Sequence, residues 1–137
     1  MLLYTGQRNV AIKTMLENGQ IYYCTWCAEV ENDTEASFKC GYQWMMNTMV
    51  SHGVSKPELA KYPIWLTPEI EFAKDYNSNV LAFDIPDSEV LLSDEGLFGL
   101  FAYDAGPDIE QCLHLEDDSF IQATTWCLKP EWFKGIV

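Results

Sequence analysis

Basic side chains are the scarcest resource of this 137-residue chain: one arginine, Arg8, and seven lysines, none of which falls between Asp75 and Leu128. That stretch carries twelve acids, from Asp75 through Asp84, Asp87, Glu89, Asp94, Glu95, Asp104, Asp108 and Glu110 to Glu116, Asp117 and Asp118. The other nine acids face all eight basic residues, so the remainder carries −1 of the net charge of −13. A surface of this sign repels phosphate backbones and argues against direct nucleic-acid binding, so none is expected. Long apolar runs are missing too: the longest, Gly96 to Tyr103, is far short of the roughly 20 residues that a membrane-spanning helix requires. No basic segment followed by a long apolar one opens the chain, so a secretory leader is not expected and the location read from the sequence is cytoplasmic. Five cysteines at irregular spacing suit reduced thiols rather than a closed disulfide framework. Nucleotide-binding and catalytic signatures built on glycine-rich loops, a nucleophile elbow or paired histidines are absent.

What the chain does have is bulk. It is 48% hydrophobic, with five Trp, seven Tyr and seven Phe, which demands a well-packed core. No repeat or linker divides it, so residues 1–137 read as one domain. Met1 to Thr5 predicts a strand, and Asn9 is placed to cap a helix from Val10 to Asn18 that Gly19 ends. Ile21 to Trp26 is β-prone. Thr34 is placed to cap a long helix, along which Phe38, Tyr42, Met45, Met46 and Met49 recur at helical spacing up to Gly53; this stripe reads as core. Strands follow at Tyr62 to Leu66, Asn79 to Ile85, Val90 to Leu92, Phe120 to Leu128 and Gly135 to Val137. Helices are expected from Thr67-Pro68 to Tyr76, after Asp94, around Asp108 to Leu113 and at Pro130 to Trp132. The mixture lacks strict strand–helix alternation and favours an α+β fold.

Candidate chemistry is sparse. Cys24-Thr25-Trp26-Cys27 has the spacing of a zinc knuckle or redox pair, with Cys40 and His52 as the nearest further ligands. With no second such pair, apolar cysteines are the better reading. His114 with Glu116, Asp117 and Asp118 reads as a solvated loop rather than a hard-ion site. No metal is expected.

Several segments together carry a resemblance. They are the Leu-Tyr-Thr strand at 3–5, Tyr42-Gln43-Trp44-Met45, Tyr62-Pro63-Ile64-Trp65, Ile85-Pro86-Asp87 with Val90 to Asp94, Ile121-Gln122-Ala123, and Lys129-Pro130-Glu131-Trp132. In them the chain resembles the uncharacterised bacterial and phage family catalogued as domain of unknown function 3841, nearly end to end. That family carries no activity over. More loosely, Leu3 to Arg8 with the helix to Gly19, Trp65-Leu66-Thr67, and Glu71-Phe72-Ala73-Lys74-Asp75-Tyr76 resemble ADP-ribosyltransferase-like domains.

This second resemblance implies two small antiparallel or mixed sheets with flanking helices, and NAD+ bound in a cleft between them. By position it implies contacts to the dinucleotide from Thr5, Gln7 or Arg8, a nicotinamide pocket shaped by Thr67 and Tyr76, and Gln122 at the late-strand place that holds a glutamate in such enzymes. An amide there cannot offset the positive charge developing in the transition state, and losing such a group costs on the order of a hundredfold in rate. The resemblance therefore implies nucleotide binding with transfer weakened or lost. The plain alternatives are Thr67 as a helix cap, Tyr76 as a core or groove residue, Gln122 as a solvent-facing strand residue and Arg8 as a partner for an acid. A different class of function also fits the charge: an acidic, non-enzymatic binding or inhibitor protein that engages a basic partner by imitating DNA.

Overall fold

The computed structural model describes residues 1–31, 38–76 and 79–137, and of Ala28, Glu29 and Tyr76 the backbone alone. The fold is α+β, as expected, and is built from small antiparallel sheets. In chain order, strand β1 (Leu2–Gly6) leads into helix α1 (Asn9–Ile12), which widens into a π-helical turn at Lys13–Glu17. Strand β2 (Tyr22–Tyr23), helix α2 (Ala28–Glu31) and the long helix α3 (Lys39–Ser51) follow. Next come β3 (Ile64–Leu66), α4 (Ile70–Tyr76), β4 (Val80–Asp84), β5 (Leu91–Asp94) and α5 (Glu95–Phe101). A 3₁₀ turn at Pro107–Leu113 precedes β6 (Ile121–Thr125) and β7 (Cys127–Leu128). Another at Pro130–Trp132 leads to the last strand, β8 (Phe133–Ile136).

One sheet runs β1-β4-β8, a second β3-β6-β5, and β2 pairs with β7. Reciprocal backbone bonds of 2.8 and 2.9 Å between Tyr4 and Thr67 stitch the two larger sheets together. Strand periodicity decides what each face of the second sheet covers. Ile64, Leu66 and Ala123 enter a core with Leu3, Met15, Leu81, Phe83 and Leu128. Trp65, Leu91 and Trp126 turn the other way, onto Met45 and Met49 of α3 and Phe98 of α5. The methionine stripe is therefore core, as its spacing implies.

Several local expectations are corrected. Asn9 does not cap α1: Arg8 holds that position, and the Asn9 amide oxygen instead accepts from Asn79 Nδ2 at 3.0 Å. The β-prone run 21–26 pairs only at Tyr22–Tyr23 and, through an isolated bridge, at Cys24. The late strand breaks at Trp126 into β6 and β7, while the helix expected around Asp108 to Leu113 is found, as a 3₁₀ helix at Pro107–Leu113. The Thr34 cap lies outside the described residues. By contrast Asp94 caps α5, accepting from Leu97 N–H at 3.0 Å.

At the end of α3 the Gly53 and Val54 amides bond back to the Val50 and Met49 carbonyls, at 3.1 and 2.9 Å, and Gly53 sits at φ +89°. This is a Schellman turn, in which Gly avoids the cost of left-handed backbone. Gly53→Ala should lower stability by about 1 kcal/mol, read as a shift of the urea midpoint; an unchanged midpoint would contradict this account of the turn.

Candidate functional site

The end of β1 divides the predicted ligand contacts into two environments. Thr5 is buried, donates its hydroxyl to the Trp65 carbonyl at 2.9 Å and accepts from Gln7 Nε2 at 2.8 Å. The Gln7 amide bonds the Asn79 carbonyl at 2.9 Å. Thr5 thus ties β1 to β3, while the Gln7 side chain is engaged by Thr5 alone and its backbone N–H reaches the residue before β4. Thr67 lies at the same junction, bridged to Tyr4, and its Oγ1 accepts from the Glu69 amide at 3.0 Å in a local turn. The expected cap is corrected, because α4 starts only at Ile70 and its first bond runs to the Glu69 carbonyl.

Arg8 points elsewhere. Its extended backbone (φ −72°, ψ 161°) separates β1 from α1 and leaves the side chain exposed. The guanidinium lies 5.8 Å from the ring centroid of Trp26, itself 48% exposed. Burial raises the Tyr22 phenol above its ordinary value, the neighbouring Cys24 adds to this, and Arg8 opposes it. Arg8, Thr14, Tyr22, Tyr23 and Thr25 line an open cleft of about 450 Å³. Val10, Ile21 and Leu59 complete the lining, which thus offers one exposed cation, aromatic faces, hydroxyls and apolar side chains.

Gln122 and Thr67 do not line that cleft. Gln122 is 7% exposed and donates from Nε2 to the Ser93 hydroxyl at 2.9 Å, across the β5–β6 pair. Its reading as a solvent-facing strand residue is therefore corrected: it belongs to a buried polar pair. The Tyr76 side chain lies outside the described residues.

The cysteines are all free. Cys24 Sγ lies 3.4 Å from the Trp26 carbonyl, and among the described residues no group of three or more His, Cys, Asp or Glu is placed to hold a metal. Cys40 and His52 stand at opposite ends of α3, twelve residues and so about 18 Å apart along the axis, too far to share one ion. Burial pushes the Cys112 thiol up to about 12 and the Cys127 thiol up to about 11. The folded state holds these protons where the unfolded chain releases them, near pH 9. The stability they confer is present below that pH and is lost as pH rises toward 11 and 12. Alkylation at pH 8 should accordingly label exposed Cys40 quickly and leave Cys112 and Cys127 unlabelled until urea is added. Rapid native labelling of the latter two, read by peptide mass mapping, would contradict their burial.

The acids of the second half are mostly exposed, Asp104, Asp108, Glu110 and Glu116 to Asp118 among them. Glu110 accepts the Trp44 indole N–H at 3.3 Å, and the N-terminal ammonium bridges Asp84 and Asp87. Among the described residues no helix is long and apolar enough to cross a membrane.

No curated protein and no solved structure matches the chain. A family model described as domain of unknown function (DUF3841) matches residues 2–116 of the 137. The chain belongs to the DUF3841 family.

Proposed function

We propose that the protein is a nucleotide-binding domain that takes NAD+, or a nucleotide like it, in the Arg8 cleft and is a poor transferase. The observation that carries the reading is the chain's single arginine lining a cleft that also presents Tyr22, Tyr23, Thr14 and Thr25, with its guanidinium 5.8 Å from the ring of exposed Trp26 beside that cleft. Arg8 supplies a cation and hydrogen-bond donors to ribose and ring oxygens, the neighbouring Trp26 or the lining Tyr23 a face on which a base stacks, and the threonines partners for ribose hydroxyls. Transfer lacks its electrostatic support in this reading, because Gln122 is neutral, buried and committed to Ser93.

Nucleotide binding should quench Trp26 fluorescence. Trp26→Ala should weaken affinity by at least about fivefold, since stacking on an aromatic ring contributes roughly 1–3 kcal/mol per base. Equal affinity in Trp26→Ala and the parent protein would refute the assignment of the cleft. Gln122→Glu tests the transferase side. A carboxylate beside Ser93 would be desolvated, so we expect a lower melting temperature at pH 8 than at pH 5 relative to the parent, and no gain in activity. ADP-ribosyl transfer by Gln122→Glu would instead show that this position faces the ligand.

A second reading rests on a separate observation. Among the described residues, none of the acids from Glu89 to Asp118 is ion-paired, and exposed Leu100 and Tyr103 lie between them in sequence. Such a surface suits a basic protein partner. A complex of this kind should weaken steeply with salt, and charge reversal at Asp104, Asp108 and Glu110 that left it intact would rule this face out.

A further inference from the structure

A second cleft adjoins the first, sharing Ile21 and Tyr23 as a common wall. It measures about 480 Å³ and brings together Lys56 and Lys129 with the hydroxyls of Ser55 and Ser88. The pairing is notable in so acidic a chain, because these two lysines flank the Asp75 to Asp118 stretch from opposite sides in sequence. Among the described residues neither is ion-paired, whereas Lys61 and Lys74 bridge Glu31 and Glu71.

Both ammonium groups are instead held over buried indoles. Lys56 Nζ lies 5.9 Å from the ring centroid of Trp126, and Lys129 Nζ lies 5.0 Å from that of Trp132. The rings are 2% and 8% exposed. Trp126 also fixes the loop that carries Lys56, donating its indole N–H to the Val54 carbonyl at 2.9 Å just after the Gly53 turn. A cation stacked on an aromatic face keeps its hydrogen-bond donors free while losing the mobility of a solvated lysine, so it is pre-organised for an anion. Glu89 is the one carboxylate among the described lining residues, which leaves the cleft a net charge of about +1.

We propose that the Lys56–Lys129 cleft is a phosphate subsite continuous with the Arg8 cleft, so that the ligand is a dinucleotide whose ring system rests by Arg8 and whose phosphoryl groups reach across Tyr23. This rests on the nucleotide reading for the ring but not for the anion, and the two separate experimentally. The probes are NAD+ and inorganic pyrophosphate, titrated calorimetrically into the parent protein, Lys56→Gln/Lys129→Gln, Glu89→Gln and Arg8→Ala, each checked for an unchanged melting temperature.

The subsite predicts that pyrophosphate binds the parent protein and is lost from the double lysine variant. NAD+ should weaken there at least about tenfold, the equivalent of one charge-assisted bond. Glu89→Gln should tighten both ligands severalfold by removing a like charge, and Arg8→Ala should weaken NAD+ while sparing pyrophosphate. Pyrophosphate binding that depends on the lysines without any NAD+ binding would uphold the subsite and end the nucleotide reading. NAD+ binding unaltered by the lysine changes, or pyrophosphate binding indifferent to them, would overturn the subsite.

Discussion

Trp126→Ala should destabilise the protein by about 3–5 kcal/mol, the range for deleting a fully buried tryptophan. The ring is 2% exposed and packs in the second core with Met45, Met49 and Phe98. Its indole N–H is bonded to the Val54 carbonyl at 2.9 Å, so truncation also strands a buried acceptor. Collapse around the cavity is limited because Trp126 sits at the break between β6 and β7, held on both sides by strand pairing. Urea denaturation should show a lower midpoint with the slope little changed. A loss under about 1 kcal/mol would contradict the burial and packing of this ring.

Gly41→Ala should also destabilise, although helix propensity alone predicts a gain of about 1 kcal/mol. Gly41 lies in the first turn of α3, against the end of α5. A Cβ there would meet Ala102 Cβ at 2.6 Å, its carbonyl oxygen at 2.8 Å and its Cα at 2.9 Å. Two of those three atoms are backbone and cannot rotate away, so α5 must shift. Overpacking of this kind costs typically about 1–3 kcal/mol, enough to reverse the propensity term. Gly41→Val should cost more. Ala102→Gly in the Gly41→Ala background should restore only part of the loss, because the new methyl still collides with the backbone of residue 102. A melting temperature raised by Gly41→Ala would show that the helices are not this close.

How much of this could be read in the sequence depends on how local each signal is. The α3 methionine stripe and the Asp94 cap are set by neighbours within one turn, and both are found, whereas Thr67 is drawn into a bridge with Tyr4 and α4 starts only at Ile70. The β6–β7 break depends on Trp126 reaching Val54 across the fold, which a local apolar run does not reveal. Gln122 is the instructive miss. Polar residues on strands ordinarily face solvent, yet this one is matched across the sheet by Ser93, a register fixed only by tertiary pairing. Arg8 is a candidate through its position after the first strand, alongside Thr5 and Gln7. Lys56 and Lys129 gave no such sign, being 73 positions apart in sequence and joined only by the packing that places Trp126 and Trp132 beneath them.

The central claim, a nucleotide held at Arg8, is tested most directly by calorimetric titration of NAD+ into the parent protein and Arg8→Ala at low and moderate salt. The expected result is saturable binding by the parent protein that weakens with salt, and a loss of about tenfold or more in the variant. No heat at millimolar NAD+, or equal affinity in the two proteins, would contradict it and turn attention to the acidic surface and its basic partner.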